Sequence, residues 1–403
     1  MDVTLPDIEA AARALEGVST PTPLYVAHDL GADVPGPLYL KLENLQRTGS
    51  FKLRGAYNRL RALSTEELSR GVVAASAGNH AQGVALAARL VGTSAVVVMP
   101  RVASMAKVAA TERLGATVVL AGDDFDAARA HAEALAAESG RLLVPAFDDP
   151  HVVAGQGTVA LEMLDARPDL DLLVVPVGGG GLIAGVAVAA KGRNPRTRVV
   201  GVQAARVSGM IRSRAVGAPV EVPPAETIAD GIAVRRPGTL TYELVSRYVD
   251  DLVTVDESEL ARTMLLALER LKLVVEGAGV AALAAVLAGR VPVAAERVGV
   301  VISGGNVDVG VLARLVEKGL VAEGRQLHLR TVVRDRPGEL SRLLSVVARE
   351  QANVLAVEHE RWHPGLDPAD VEVRLVVETR DPAHAEAVRA ALVAAGLDVT
   401  VVA

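Results

Sequence analysis

No cysteine occurs anywhere in the 403 residues. That absence excludes disulfides, thiolate catalysis and zinc–thiolate sites, and it fits an intracellular chain. Positive charge is not in excess either. The formal net charge is -6 with acidic and basic residues interleaved, so the chain carries no electrostatic footprint for nucleic acid and no polybasic arm for an anionic membrane. Hydrophobic residues make up 50% of the chain and mean hydropathy is +0.32, yet much of this is alanine and valine broken by charges every few positions. No run is long enough to span a bilayer. The start, Met1-Asp2-Val3-Thr4 with Asp7 and Glu9 close behind, lacks the basic beginning and unbroken apolar stretch of a signal peptide, so a cytoplasmic location is expected. Repeats and low-complexity tracts are missing too.

What the chain does have is length enough for two or three domains and a regular alternation of patterns. Short apolar runs at 38–42, 72–75, 95–99, 117–120, 172–175, 199–202 and 298–302 are separated by alanine-rich amphipathic stretches such as 81–91, 105–114 and 125–137. Continuous apolar strands alternating with helices predict parallel sheets covered on both faces, an α/β core. Near Leu320-Val321-Ala322-Glu323-Gly324 the pattern breaks. Beyond it, strand patterns over 326–333, 353–359, 371–377 and 397–402 and helix patterns over 340–349 and 383–394 follow the order βαββαβ, the ferredoxin-like arrangement. A boundary is expected close to Gly324, with residues 1–322 forming the core and 326–403 a separate small domain.

Four clusters offer chemistry. In Ser50-Phe51-Lys52-Leu53-Arg54-Gly55-Ala56, just after Lys41-Leu42-Glu43, a lysine stands between a serine and an Arg-Gly pair. A lysine amine becomes a covalent catalyst when its site desolvates it and a carbonyl cofactor sits beside it; taken alone, Lys52 reads as a solvated surface charge. Gly178-Gly179-Gly180-Gly181 follows the run at 172–175 and opens onto Leu182 and an alanine-rich helix. Such a loop presents backbone N–H groups and a helix dipole to a phosphate. A flexible turn is the competing reading, but a turn needs one or two glycines and not four. The run has neither the Gly-Lys-Ser/Thr of a Walker loop nor the spacing of a dinucleotide fingerprint. Ser303-Gly304-Gly305-Asn306 follows 298–302, at a strand end of the kind where ligands gather in parallel sheets; by itself Ser303 could equally be an N-cap. Finally, Ser76-Ala77-Gly78-Asn79-His80-Ala81-Gln82-Gly83 follows 72–75. Ser76 and Asn79 would expose side chains and backbone donors suited to a carboxylate or a phenolic oxygen, or else cap a helix with His80 as a partly buried core histidine. A lysine, a phosphate nest, a hydroxyl and a carboxylate cradle, each after a predicted strand, are the parts needed for pyridoxal phosphate.

With Ala229-Asp230-Gly231-Ile232-Ala233-Val234 and Glu276-Gly277-Ala278-Gly279 added, the stretch from about Thr20 to Lys318 resembles threonine ammonia-lyase, also called threonine dehydratase. Asp335-Arg336-Pro337-Gly338-Glu339-Leu340 resembles the first strand-to-helix turn of an ACT domain. The resemblance implies a fold-type-II core like the β chain of tryptophan synthase: two open twisted α/β subdomains, the smaller (about 50–150) mobile and closing over the substrate, then a regulatory ACT domain. By motif position Lys52 would carry the cofactor as a Schiff base. Phe51 and Asn79 would flank the ring with Asn79 on its phenolic oxygen, Gly178, Gly179, Gly180 and Gly181 with Leu182 would hold the phosphate, and Ser303 would face the pyridine nitrogen. Ser76, Ala77, Gly78, Asn79 and His80 would take the substrate carboxylate.

The implied reaction is β-elimination of L-threonine to 2-oxobutanoate and ammonia, with L-serine to pyruvate beside it. Lys52 would remove the Cα proton, and either the cofactor phosphate or Lys52 would protonate the leaving hydroxide. A hydroxyl at Ser303 cannot keep the pyridine nitrogen protonated as a carboxylate would, which favours prompt elimination over transamination. A serine racemase shares most of these motifs, but racemases place a second base, a serine, two positions before the asparagine; here Ala77 stands there. Gln203-Ala204-Ala205 and Gly209 replace the acidic ligands of racemase-like relatives, so no divalent metal is expected. An amino-acid sensor with a relic catalytic core is the other alternative, against which the intact lysine, nest and serine argue. ACT domains pair across subunits and bind small amino acids at the shared interface. This implies a homo-oligomer, dimer or tetramer, under feedback control by isoleucine or valine if the enzyme serves isoleucine biosynthesis.

Overall fold

A computed structural model describes residues 2–28, 30, 37–293, 297–362 and 365–402. They divide into two compact units, residues 1–308 and 309–403.

The first unit is built on two sheets. The larger has the strand order Leu24–Ala27, Leu38–Leu42, Val298–Ile302, Leu172–Pro176, Arg198–Ala204, Asp251–Val255, parallel throughout except for the antiparallel first pair. Every residue of Leu38–Leu42, Leu172–Pro176 and Val298–Ile302 is buried, because both faces are covered. On one face Leu173, Val175 and Val301 share a core with the helices Pro150–Ala166 and Gly181–Arg193. On the other lies Gly277–Leu287, buried along almost its whole length and packed on Val298–Ile302 and Leu172–Pro176.

The smaller sheet is wholly parallel, in the order Thr117–Leu120, Ala95–Met99, Val72–Ala75, Leu142–Leu143. Its core joins Ala74 and Val97 to Leu53 and Leu60 of the helix Lys52–Arg61 and to Val84 of Asn79–Val91. The apolar runs at 72–75, 95–99, 117–120 and 298–302 are strands over those same residues. Periodicity did not reveal Leu24–Ala27, Asp251–Val255 and the two-residue Leu142–Leu143. The first two are edge strands in which only the last residue is buried, and the third is too short to show a period.

The second unit runs Val309–Ala322 (helix), Gln326–Arg334, Glu339–Arg349 (helix), Asn353–Glu360, Asp370–Glu378, Pro382–Ala394 (helix) and Val399–Val401. Its antiparallel sheet has the order Asn353–Glu360, Asp370–Glu378, Gln326–Arg334, Val399–Val401, which is the ferredoxin-like βαββαβ topology after a leading helix. Leu329, Val373 and Leu375 bury against Leu343, Val347 and Val388 of the two following helices. Composition changes near Gly324, but the compact units part at Asp308. The helix Val309–Ala322 goes with the second unit, where the Thr379 hydroxyl donates to the Gly324 carbonyl (2.7 Å) and the Thr379 N–H to the Arg325 carbonyl (2.9 Å).

Candidate active site

Strand register brings the first loops together. Ile302 lies opposite Leu42, so the chain leaves both strands at the same level. The segments that follow are stitched by the Phe51 N–H on the Ser303 carbonyl (3.2 Å), the Gly305 N–H on the Gly49 carbonyl (2.9 Å) and a bridge between Ser50 and Gly304. Lys52, the first residue of its helix, therefore starts beside Ser303. The Ser303 hydroxyl is buried and donates over a long 3.4 Å to the Ala278 carbonyl. The next helix begins only at Val309, so the N-cap reading of Ser303 does not hold.

Lys52 is half-buried, its Nζ donating to the Ala146 carbonyl (3.0 Å) and standing 5.1 Å from the centre of the Phe51 ring. Burial pushes its amine down to about 8, partly offset by attraction to the Glu276 carboxylate. Glu276 is itself buried, and burial followed by repulsion from Asp230 pushes it up to about 7. Sequence reasoning quoted Glu276 within a motif but assigned it no role. In the structure it accepts from Asn79 Nδ2 (2.6 Å), while Asn79 Oδ1 accepts from Asn306 Nδ2 (2.6 Å). Both ends of the Asn79 amide are thus held, and one of its N–H bonds remains for another acceptor.

His80 is buried, and its Nε2 lies 3.0 Å from the Val144 carbonyl. Burial, with repulsion from Lys52, pushes its ring down to about 3 against the opposing pull of that hydrogen bond. The ring is neutral at working pH and donates from Nε2, so the core-histidine reading describes the side chain; only its backbone N–H is open to a ligand. Ser76 Oγ accepts from the Gly78 N–H (3.1 Å), and the helix Asn79–Val91 opens with no side-chain cap. A side chain added at Gly78 would meet open space.

The segment 144–149 is the part that sequence reading missed. Val144 receives His80, Ala146 receives Lys52, Phe147 packs on the glycine run, and Asp148 and Asp149 cap the helices Thr239–Tyr248 and Pro150–Ala166. The paired acids before a proline are a helix-start signal, and that was the only clue available.

In the glycine run, Gly180 has φ 98 and a Cβ there would stand 2.6 Å from Met210 Cε; at Gly179 it would enter the Phe147 ring. The run is therefore closely packed and not a flexible turn. Among the described residues, the N–H groups of Gly178, Gly179, Gly180, Gly181 and Leu182 make no hydrogen bond. Leu182 turns its side chain into the core of the larger sheet, so only its backbone is available. Consecutive unpaired amides at a helix start are costly unless an anion meets them.

A family model described as pyridoxal-phosphate dependent enzyme matches residues 15–304. The chain belongs to this family. Its members depend on pyridoxal phosphate, and the fold-type-II core expected from the motifs is the one found. An L-threonine ammonia-lyase from Thermotoga maritima is 48% identical over 400 residues, covering 99% of this chain and 100% of that protein. Threonine deaminase isoform 2 from Solanum lycopersicum, in its processed form, superposes with TM-score 0.74 at 36% identity, covering 78% of this chain and 92% of that one. Maize serine racemase gives TM-score 0.75 at 35% identity, covering 80% and 99%. The residues present fit the family's cofactor. The five unpaired amides suit its phosphate, the depressed amine of Lys52 suits its aldehyde, and the buried Ser50 Oγ next to that lysine has no partner among the described residues. Gln203, where racemase-like relatives were expected to ligate a metal, bonds within its own region, to the Val177 carbonyl and the Ile211 N–H.

Proposed function

We propose that this enzyme dehydrates L-threonine to an enamine whose hydrolysis takes the water back and gives 2-oxobutanoate and ammonia, and converts L-serine in the same way to pyruvate and ammonia. The observation that carries the proposal is a lysine base with no second base at position 77 or His80, the Glu276 carboxylate being taken up by Asn79. Lys52 has an amine lowered to about 8, while His80 is neutral and buried and position 77 is alanine. The relative of matching length from Thermotoga maritima is named for threonine deamination, which supports threonine as substrate.

Pyridoxal phosphate, when bound, supplies an electron sink for negative charge at the substrate Cα. Lys52 takes the Cα proton; an amine near 8 is partly in the free-base form at neutral pH, which an ordinary lysine is not. The N–H groups of Ala77, Asn79 and His80, unpaired among the described residues, hold the substrate carboxylate at the helix start. Asn79, clamped by Glu276 and Asn306, offers its remaining N–H to the phenolic oxygen of the cofactor. Gly178 to Leu182 hold the phosphate, and Ser303 presents a neutral hydroxyl to the pyridine nitrogen, a weaker partner than a carboxylate. Phe51 lines the site beside Lys52. Ala77 cannot return a proton to the opposite side of Cα, which disfavours racemisation.

The C-terminal unit, with its βαββαβ order, we read as an ACT-type regulatory module for a small amino acid, working in a cytoplasmic homo-oligomer. No helix among the described residues is long and apolar enough to cross a membrane. The test is a steady-state assay of keto acid from threonine and serine, with and without isoleucine and valine, and chiral analysis of the remaining serine. We expect keto acid and no D-serine; D-serine forming at a comparable rate would refute the single-base account. Lys52→Ala should lose both turnover and the visible absorbance of the bound cofactor.

A further inference from the structure

Two parts of the site, the lysine and the glycine run, are joined by a short chain of polar contacts that the proposed mechanism does not use. Asp148 lies two residues after Ala146, the acceptor of Lys52 Nζ. Its carboxylate accepts from the Thr239 N–H (Oδ2, 3.0 Å) and the Thr241 N–H (Oδ1, 3.1 Å), capping the helix Thr239–Tyr248 from a distant part of the chain. Thr241 is completely buried, and its hydroxyl donates to the Gly179 carbonyl at 2.6 Å. A hydroxyl has one proton to give. The carbonyl of Gly238, one turn back, lies farther away at 3.3 Å, so the bond falls on the glycine run.

Peptide planarity gives this contact a consequence. In a trans peptide the C=O and the following N–H point in opposite directions. Pinning the Gly179 carbonyl toward Thr241 therefore aims the Gly180 N–H away from it, and that N–H is the middle one of the five left without a partner. The Gly238 N–H also reaches this carbonyl, at a long 3.5 Å, so without the Thr241 hydroxyl only the weaker tether remains and the glycine peptide can tilt within its packed surroundings.

We propose that Thr241 and Asp148 are positioning residues for the cofactor phosphate: Asp148 fixes Thr241, and Thr241 sets the orientation of the Gly179–Gly180 peptide. This rests on reading Gly178 to Gly181 as the phosphate cradle. Because Asp148 sits on the segment that also receives Lys52, the same carboxylate sets the spacing between the lysine and the cradle.

The test compares equilibrium binding of pyridoxal phosphate and of pyridoxal, which lacks the phosphate, to the full-length apoprotein. Parent, Thr241→Val, Thr241→Ser and Asp148→Asn are measured, each with its apoprotein melting temperature and its protection by inorganic phosphate. Thr241→Val should weaken pyridoxal phosphate binding about tenfold, the scale of one well-made hydrogen bond, and should require about tenfold more inorganic phosphate for the same protection. Pyridoxal binding should stay unchanged, and Thr241→Ser should restore the parent values. Asp148→Asn should show the same selectivity at smaller amplitude, and it decides the matter if Thr241→Val does not fold. Equal losses for both ligands, or no loss for either, overturn the proposal. A parent that binds pyridoxal as tightly as pyridoxal phosphate instead refutes the cradle itself, whatever the variants do.

Discussion

At the scale of single residues, Lys52 and Glu276 are drawn toward each other's titration range by the same burial. Desolvation lowers the amine to about 8 and raises the carboxyl to about 7, and each charge partly restrains the other's shift. The lysine's readiness as a base carries a stability cost. Between about 8 and the ordinary 10.5 the unfolded chain binds the proton that the folded chain has released, so stability rises with pH over that window. Below it the folded protein must keep a charge in a desolvated place, at a cost of about 3 kcal/mol. Lys52→Met should make the apoprotein more stable by about that much at pH 7, with the gap closing toward pH 10.5. Urea unfolding at the two pH values measures it; equal stability at pH 7 would show that burial is not what lowers the amine. Lys52 stood out in the sequence through its motif. Glu276 was visible only as a letter beside glycines, because its role depends on reaching Asn79 across nearly two hundred positions.

Among the elements, the helix Lys52–Arg61 is set in place by charges buried beneath the lysine. Arg54 grips Glu43 with two bonds of 2.8 Å, both side chains fully enclosed, and also bonds Glu162. Lys41 reaches Glu162 and the Thr22 carbonyl, and Thr22 closes on Glu43. Burial alone would raise the Glu43 carboxyl, but the Arg54 charge and hydrogen bonds outweigh it and hold it below the ordinary range. The sign follows: Glu43 contributes stability above the usual carboxylate range and loses it as pH falls through its depressed value. Arg54→Met takes the main cation from that buried carboxylate, leaving only Lys41 and the Thr22 hydroxyl, and should cost about 3 kcal/mol, with lost activity as the helix start shifts. Arg54→Met combined with Glu43→Met should recover most of the stability, since an apolar pair of similar volume replaces a buried ion pair at little cost. If the double variant is no more stable than the single one, the loss belongs to packing and not to charge. The sequence placed Arg54 and Glu43 near Lys52; that they touch follows from the turn 43–45 and the return into the helix.

For the whole molecule, the boundary at Asp308 makes the helix Val309–Ala322 part of the C-terminal unit. Its exit is tied through Gly324 and Arg325 to Thr379, and a Cβ on Gly324 would stand 2.7 Å from Pro382. A fragment spanning 309–403 should melt several degrees above one spanning 326–403, about 1 kcal/mol in a domain of this size. Equal melting temperatures would mean that the helix is no part of that unit's stability. Composition marked the change of pattern at Gly324, whereas contacts mark the edge of the unit, and an amphipathic helix does not announce which neighbour covers it.

The sequence by itself determined the strand and helix order of the C-terminal sheet, the buried strands of the first unit and the four strand-end clusters, Lys52, Asn79, the glycine run and Ser303. Apolar periodicity and backbone-specific residues such as glycine are local signals that survive without a fold. Only the tertiary structure decided what those clusters touch. It paired Glu276 with Asn79, put His80 on Val144 as a neutral ring, and drew 144–149 between the lysine and the glycines. Hydrogen bonds between distant loops and the desolvation that shifts a pKa depend on neighbours in space, and spacing along the chain carries no record of them.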